Sequence, residues 1–368
     1  MNVAVLGGGH GGYATAADLA LAGHRVRLWR RTEAALGDVR SAGGIVLRAP
    51  EREGRARLDA ATADLDEALR EADVLVVPLP ATAHEDLAKR LGERLTGREI
   101  VLLTPGTLGA YVMARLVARA GGRLPLAFAE TGTLPYLARK TAPAEVAAPV
   151  RAANLPVGVL PATRTAAVLD RLRPLFPAIR SCVDVLDAAL TNAGPVIHPP
   201  LVLVNASAID RGPFDIHAAG TSPSARRLID AVDAERVASR QGLGYPAPHY
   251  ELATYYDETR AAEGLYGAGA RARLEASGLW SEVVTYEHRY VTEDAALGLT
   301  VLESAGRTAS VPTPAVSGLL GVFGALLGRD LTGGRALDHL GLGDFTLREL
   351  RALFQEGWES PAWARAVR

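Results

Sequence analysis

One histidine stands where chemistry needs a titratable group. His198 lies in TNAGPVIHPPLVLVNAS (191–207), a stretch otherwise almost entirely apolar or small, directly before Pro199 and Pro200. An imidazole there is either a core residue with its ring nitrogens satisfied or a proton donor facing a cleft, held where two prolines stiffen the backbone. A second stretch, YEHRYVTEDAALGL (286–299), gathers His288, Arg289, Glu293 and Asp294, and Asp294 runs into small apolar residues. A carboxylate on one imidazole nitrogen fixes the tautomer and stabilises the imidazolium. Asp294 can serve His198 in this way only if the fold closes a gap of 96 residues. His217, His249 and His339 sit in polar or loop-like sequence.

The chemistry such a histidine would assist is suggested at the start of the chain. NVAVL (2–6) is a short β-rich run, Gly7, Gly9 and Gly12 form G-x-G-x-x-G, residues 13–22 are rich in helix formers, and RVRLW (25–29) reads as a second strand. This is the strand–turn–helix–strand context that a dinucleotide fingerprint needs. Gly7 permits the tight turn, Gly9 lets the backbone approach a pyrophosphate, and Gly12 lets the helix pack on the strand. The helix N-terminus supplies N–H groups to the phosphates. The second strand ends in Arg30 and Arg31 where an acidic residue would bind a ribose 2′-hydroxyl. Two guanidiniums there favour NADP(H) over NAD(H), and the alternative is a pair of solvated arginines. A nicotinamide enzyme that reduces C=O or C=N needs a proton donor beside the accepting atom, which is the role open to His198.

The elements that position these groups follow from hydrophobic patterning. ADVLVVPL (72–79), EIVLLT (99–104) and LPLAFAE (124–130) are near-continuous apolar runs, as expected of parallel strands covered on both faces. Ligands bind beyond the carboxyl ends of such strands, which places Pro80 and the segment from Glu130 to Thr133 near a cofactor's reactive end. His84 reads as structural or solvated. The β/α alternation fades after residue 186. The expected architecture is an α/β Rossmann domain with a mostly parallel sheet over 1–186, then a mostly α-helical substrate and catalytic domain over 187–368, with the substrate in the cleft between them.

Composition removes several function classes. The chain has 368 residues and a formal net charge of -1, which gives no reason to expect a nucleic-acid or membrane partner. A single cysteine, Cys182, rules out an internal disulfide, and no metal site is expected. The N-terminus has no secretory pattern, so a cytoplasmic location is expected. VSGLLGVFGALLG (316–328) is too short to span a bilayer and reads as a packed helix begun by Thr313-Pro314, either core or the surface of a homodimer.

Four ordered stretches carry a resemblance: the glycine turn, AETGTLPYLAR (129–139), TNAGPVIHPP (191–200) and RYVTEDAALGL (289–299). In these the chain resembles the octopine/nopaline (opine) dehydrogenase family over most of its length. The resemblance implies a Rossmann domain followed by an all-helical domain, with His198 as acid/base and Asp294 as its partner. It implies reductive joining of a 2-oxo acid, often pyruvate, to the amino group of an amino acid through an imine, with NADH or NADPH. Arginines should then line the cleft for the substrate carboxylates, with Arg211, Arg226, Arg227, Arg236, Arg240, Arg260 and Arg289 available. Thr133 and Asn192 fall within the shared motifs and either bind substrate or cofactor or act as cap and turn residues.

Three other readings compete. Two-domain reductases of 3-hydroxy acids, ketopantoate or glycerol phosphate use a lysine in the helical domain, and no lysine follows Lys140 here. An imine reductase or biosynthetic tailoring enzyme would keep the scaffold and change the amine. A non-catalytic dinucleotide-binding protein would need no ionisable pair, and a wide separation of His198 and Asp294 would favour it.

Overall fold

The computed structural model describes residues 1–279 and 281–368. Its strands in chain order are β1 (Asn2–Leu6), β2 (Arg25–Trp29), β3 (Ile45–Arg48), β4 (Gly54–Ala56), β5 (Ala60–Thr62), β6 (Val74–Val77), β7 (Ile100–Leu103), β8 (Ala127–Thr131), β9 (Tyr136–Ala142), β10 (Glu145–Arg151), β11 (Leu155–Leu160) and β12 (Ile179–Ser181). Eight of them form one sheet in the order β12-β11-β8-β7-β6-β1-β2-β5. β1 is parallel to both β2 and β6, and β7 and β8 continue in the same direction. β11 runs against β8. β6 (VLVV) and β7 (IVLL) are buried at every residue, because helices cover both faces of the sheet. The Rossmann-like, mostly parallel sheet expected from the sequence is present.

A second sheet, β4-β3-β10-β9, was not expected. β10 alternates half-buried and buried residues, the period of a one-sided strand. Its inward residues Val146 and Ala148 share one core with Ile45 and Leu47 of β3 and with Ala14 and Ala17 of the helix His10–Leu21. The small sheet therefore backs the helix that follows the glycine turn. β3 and β4 are only 4 and 3 residues long, too short for a period to be read.

Beyond β12 the regular elements among the described residues are helices, apart from one isolated bridge between Asp215 and Val283. Val196 and Leu201 of the helix Gly194–Val204 pack with Ile229 of the helix Pro223–Gly242, with Val291 and Leu299 of the helix Tyr290–Leu299, and with Phe323 of the helix Pro314–Leu327. The last of these begins at the anticipated proline and buries Val316, Leu319, Leu320 and Phe323, while Val322 and Leu326 stay exposed. No described helix is long and apolar enough to cross a membrane.

The helix Pro223–Gly242 corrects one expectation. Arg236 and Arg240, offered by the sequence as carboxylate ligands, are buried. Arg236 pairs with Asp233 at 2.7 Å and donates to the carbonyls of Leu190, His249 and Tyr250. Arg240 pairs with Asp187 at 2.9 Å and donates to the Asp187 carbonyl. A buried guanidinium must fill its donors, and here it fills them with protein groups. The two arginines thereby fix Tyr250, Glu251 and Leu252, which form one wall of the cleft.

Candidate active site

The helix Gly194–Val204 places His198. Pro199 and Pro200 lie inside it and cannot donate to the carbonyls of Pro195 and Val196. The facing segment Tyr290–Leu299 is wound as a π-helix, a rare form concentrated at functional sites. Two glycines allow these helices to touch. A Cβ on Gly194 would fall 2.6 Å from Asp294 Oδ1, and one on Gly298 would fall 2.2 Å from the Pro195 ring. This close approach brings Asp294 Oδ2 to 2.7 Å from His198 Nδ1. His198 keeps 17% side-chain exposure and Asp294 6%, so the pair sits at the floor of an opening. With Nδ1 held, Nε2 is left for proton exchange. Burial pushes the His198 pKa below the usual histidine value, and His217 and Arg289 add to that, while Asp294 opposes it.

A second cluster fixes the plane of the ring. Tyr290 stacks on His198 with centroids 3.5 Å apart and planes 9° from parallel. Its hydroxyl donates to Glu282 and shares a hydrogen bond with His217 Nε2 at 2.8 Å. Glu282 also receives Arg139 Nη2 at 3.0 Å and His288 Nε2 at 3.3 Å. Burial pushes the Glu282 carboxyl up, but contacts with His217, His288 and Tyr290 and the Arg139 charge outweigh it and hold it well below the usual carboxylate range. His217 thus has a carboxylate partner that local sequence did not reveal. Glu282, Tyr290 and Arg139 are functional candidates that the sequence reading gave no role.

These groups face a cavity of about 160 Å³. Thr133 and Asn192 both line it. Thr133 shares a 2.7 Å hydrogen bond with the Tyr266 hydroxyl. The Asn192 amide donates to Thr107 at 3.2 Å and accepts from Gly194 N–H at 3.0 Å, so it also ties the His198 helix to the turn after β7. Of the arginines named from the sequence, Arg289 borders the cavity and pairs with Glu293 at 2.8 Å. Arg226 instead stacks on Tyr256, and Arg260 pairs with Glu251 and Glu263.

A second opening, of about 350 Å³, lies at the glycine turn and is lined by Gly7, Gly9, Arg30, Arg31 and Pro80. Its backbone suits the pyrophosphate of a dinucleotide. Gly7 has φ +149°, a conformation that side chains disfavour, and the space beside Gly9 is open for 4 Å. A Cβ on Gly12 would meet the Gly7 carbonyl oxygen at 2.0 Å, so Gly12 serves packing and not the opening itself. No side chain caps the helix His10–Leu21, which leaves its N-terminal N–H groups for phosphate. Arg30 folds over Gly8 and donates to the Ala35 carbonyl at 2.6 Å. Lys140, the last lysine, lies over the Tyr13 ring of that helix. His84 is fully buried and packs beneath Gly109, as its structural reading expects. Among the described residues no cluster of His, Cys, Asp and Glu is suited to a metal ion.

The chain is similar to known proteins over most of its length. Residues 181–327 match the family described as the α-helical domain of NAD/NADP octopine/nopaline dehydrogenase, and residues 2–109 match the N-terminus of NAD-dependent glycerol-3-phosphate dehydrogenase. The opine dehydrogenase of Arthrobacter sp. (strain 1C) is 30% identical over 355 residues, covering 95% of this chain and 97% of its own. The vitopine synthase of Allorhizobium ampelinum is 25% identical over 83% of this chain and 84% of its own. A solved octopine dehydrogenase, in complex with NADH and agmatine, superposes with a TM-score of 0.71 at 17% identity over 96% of this chain and 97% of its own.

Proposed function

The chain belongs to the opine dehydrogenase family of NAD(P)-dependent oxidoreductases, and on that premise we propose that it reductively joins a 2-oxo acid of the pyruvate type to the amino group of an amino acid. The product is an N-(1-carboxyalkyl) amino acid, formed through an imine. The observation that carries this reading is the His198–Asp294 pair at 2.7 Å, opening on a cavity that fits small molecules. We assign dinucleotide binding to residues 1–186 and substrate binding to 187–368.

Gly7, Gly9 and the N-terminus of the helix His10–Leu21 hold the pyrophosphate, with Gly12 keeping that helix in place and Pro80 bordering the site. Arg30 and Arg31 meet a 2′-phosphate, which makes NADPH the preferred form. When bound, the dinucleotide supplies a hydride to the imine carbon. His198 takes a proton from the substrate ammonium, and the freed amine attacks the oxo carbon. His198 then returns that proton to the carbinol hydroxyl, which leaves as water. Asp294 stabilises the imidazolium between these two transfers. Arg289 and Arg139 are the guanidiniums on the cavity wall suited to substrate carboxylates, and Thr133 and Asn192 add a hydroxyl and an amide already oriented by their own partners.

The test is oxidation of NADPH and NADH by the purified protein with 2-oxo acids, with and without a panel of amino acids and simple amines. Turnover that requires an oxo acid and an amino acid together supports the assignment. Turnover with the oxo acid alone makes the protein a hydroxy-acid reductase, and turnover only with simple amines makes it an imine reductase.

A further inference from the structure

Ala81 is held at both ends of its own residue by the helical part of the chain. It follows Pro80 in the turn after β6, beside the dinucleotide opening. Its N–H donates to Glu293 Oε1 at 2.8 Å. Its carbonyl accepts from Arg335 Nη2 at 2.6 Å. Arg335 Nη1 also donates to the carbonyls of Gly106 and Thr107, at 3.1 and 2.7 Å, in the turn after β7. Both side chains are buried, Glu293 with 2% of its surface exposed and Arg335 with 4%. Burying a carboxylate and a guanidinium is costly, and well-packed apolar residues would join two surfaces at least as firmly. What an apolar pair lacks is direction. These contacts fix one peptide segment in position and orientation.

Glu293 precedes Asp294 in the π-helix. One residue holds the turn at the carboxyl end of β6, where a parallel α/β sheet presents a cofactor's reactive end. The next residue holds His198. We propose that Glu293 and Arg335 are positioning residues that set the dinucleotide turn at 80–81, and the turn at 106–107, in register with the His198–Asp294 pair. The register between hydride source and proton donor is then set by a single step of the helix Tyr290–Leu299, independently of the connection between the two parts of the chain. This rests on the reading of the cleft as the place of reaction.

The experiment uses the full-length protein and the variants Glu293→Ala, Glu293→Gln, Arg335→Met and Arg335→Lys. A displacement of about 1 Å between reacting groups costs about 10²-fold in rate. Glu293→Ala and Arg335→Met should lower kcat by about that factor while Kd for NADPH hardly changes. Glu293→Gln keeps an oxygen for the Ala81 N–H and should recover most of the rate, although it loses the charge opposite Arg289. Hydrogen exchange over residues 79–84 should quicken in Glu293→Ala, return towards wild type in Glu293→Gln, and leave β1 unchanged. Unaltered exchange over 79–84 in Glu293→Ala overturns the proposal. So does a glutamine variant no better than alanine, or a loss of dinucleotide affinity that matches the loss of rate. If the wild-type protein turns over no oxo acid and amine, the functional reading fails, and the exchange comparison by itself still decides whether Glu293 grips the turn.

Discussion

The two openings are built by opposite means. At the glycine turn the main chain offers the features suited to a phosphate. An open space at Gly9, a φ at Gly7 that glycine alone adopts readily and an uncapped helix end suit a group whose charge never changes. In the cleft side chains face the cavity, and they hold one another. Asp294 holds His198, Tyr290 lies flat on the same ring, and Glu282 gathers Tyr290, His217, His288 and Arg139. A permanent anion such as phosphate is well served by fixed dipoles. A proton transfer needs a group that changes charge, and such a group must be poised by partners in both states. The turn should therefore be intolerant of an added Cβ, and the cleft intolerant of a lost partner.

The largest effect expected is at His198. His198→Ala should lower kcat by about 10²–10⁴-fold with Kd for NADPH nearly unchanged, measured by steady-state oxidation and fluorescence titration. A loss of dinucleotide binding instead would erase the contrast between the two openings. Asp294→Asn should act through the same ring. Burial lowers the His198 pKa and the Asp294 charge opposes this, so its removal lets the pKa fall further. His198 enters the reaction as the base for the substrate ammonium, so the fall in rate with falling pH should move to lower pH. An unmoved pH profile would detach Asp294 from the chemistry.

On the other side of the comparison, replacing Arg30 and Arg31 together by alanine should weaken NADPH by about 1.5–3 kcal/mol and leave NADH almost untouched. Equal losses for both would show that the arginines serve the turn and not a 2′-phosphate. Gly12→Ala places a methyl against the Gly7 carbonyl and should weaken both dinucleotides alike, by about 1–3 kcal/mol of overpacking. The smallest effect belongs to Tyr290→Phe. It keeps the stack on His198 but deprives His217 and Glu282 of a hydroxyl partner, and should cost about 1 kcal/mol of stability in denaturant unfolding.

The openings also differ in how legible they were. Gly7, Gly9, Gly12, Arg30 and Arg31 fall within one local strand–turn–helix–strand pattern, and the apolar runs that became β6, β7 and β8 announce themselves by burial on both faces. His198 and Asp294 stood out individually, but their contact depends on Gly194 and Gly298, whose role as close-approach residues has no local signal. Nothing near His217 or Arg139 in the chain points to Glu282, which lies 143 residues from Arg139. The contacts of Glu293 and Arg335 with Ala81 span 212 and 254 residues. Pairings of that length depend on the packed fold and leave no period or spacing to read. Arg236 and Arg240 show the converse: residue type suggested substrate ligands, and burial assigned them to the wall behind the cleft.

The central claim is that the cleft reduces an imine and not a free carbonyl. The most direct measurement follows a label from NADPH deuterated at the transferred C4 position, with pyruvate and an amino acid, by mass spectrometry of the product. The account predicts an N-(1-carboxyethyl) amino acid carrying one deuterium on its new C–H bond, formed by the wild type and nearly abolished in His198→Ala. Deuterated lactate, with the amino acid left unchanged, would contradict it.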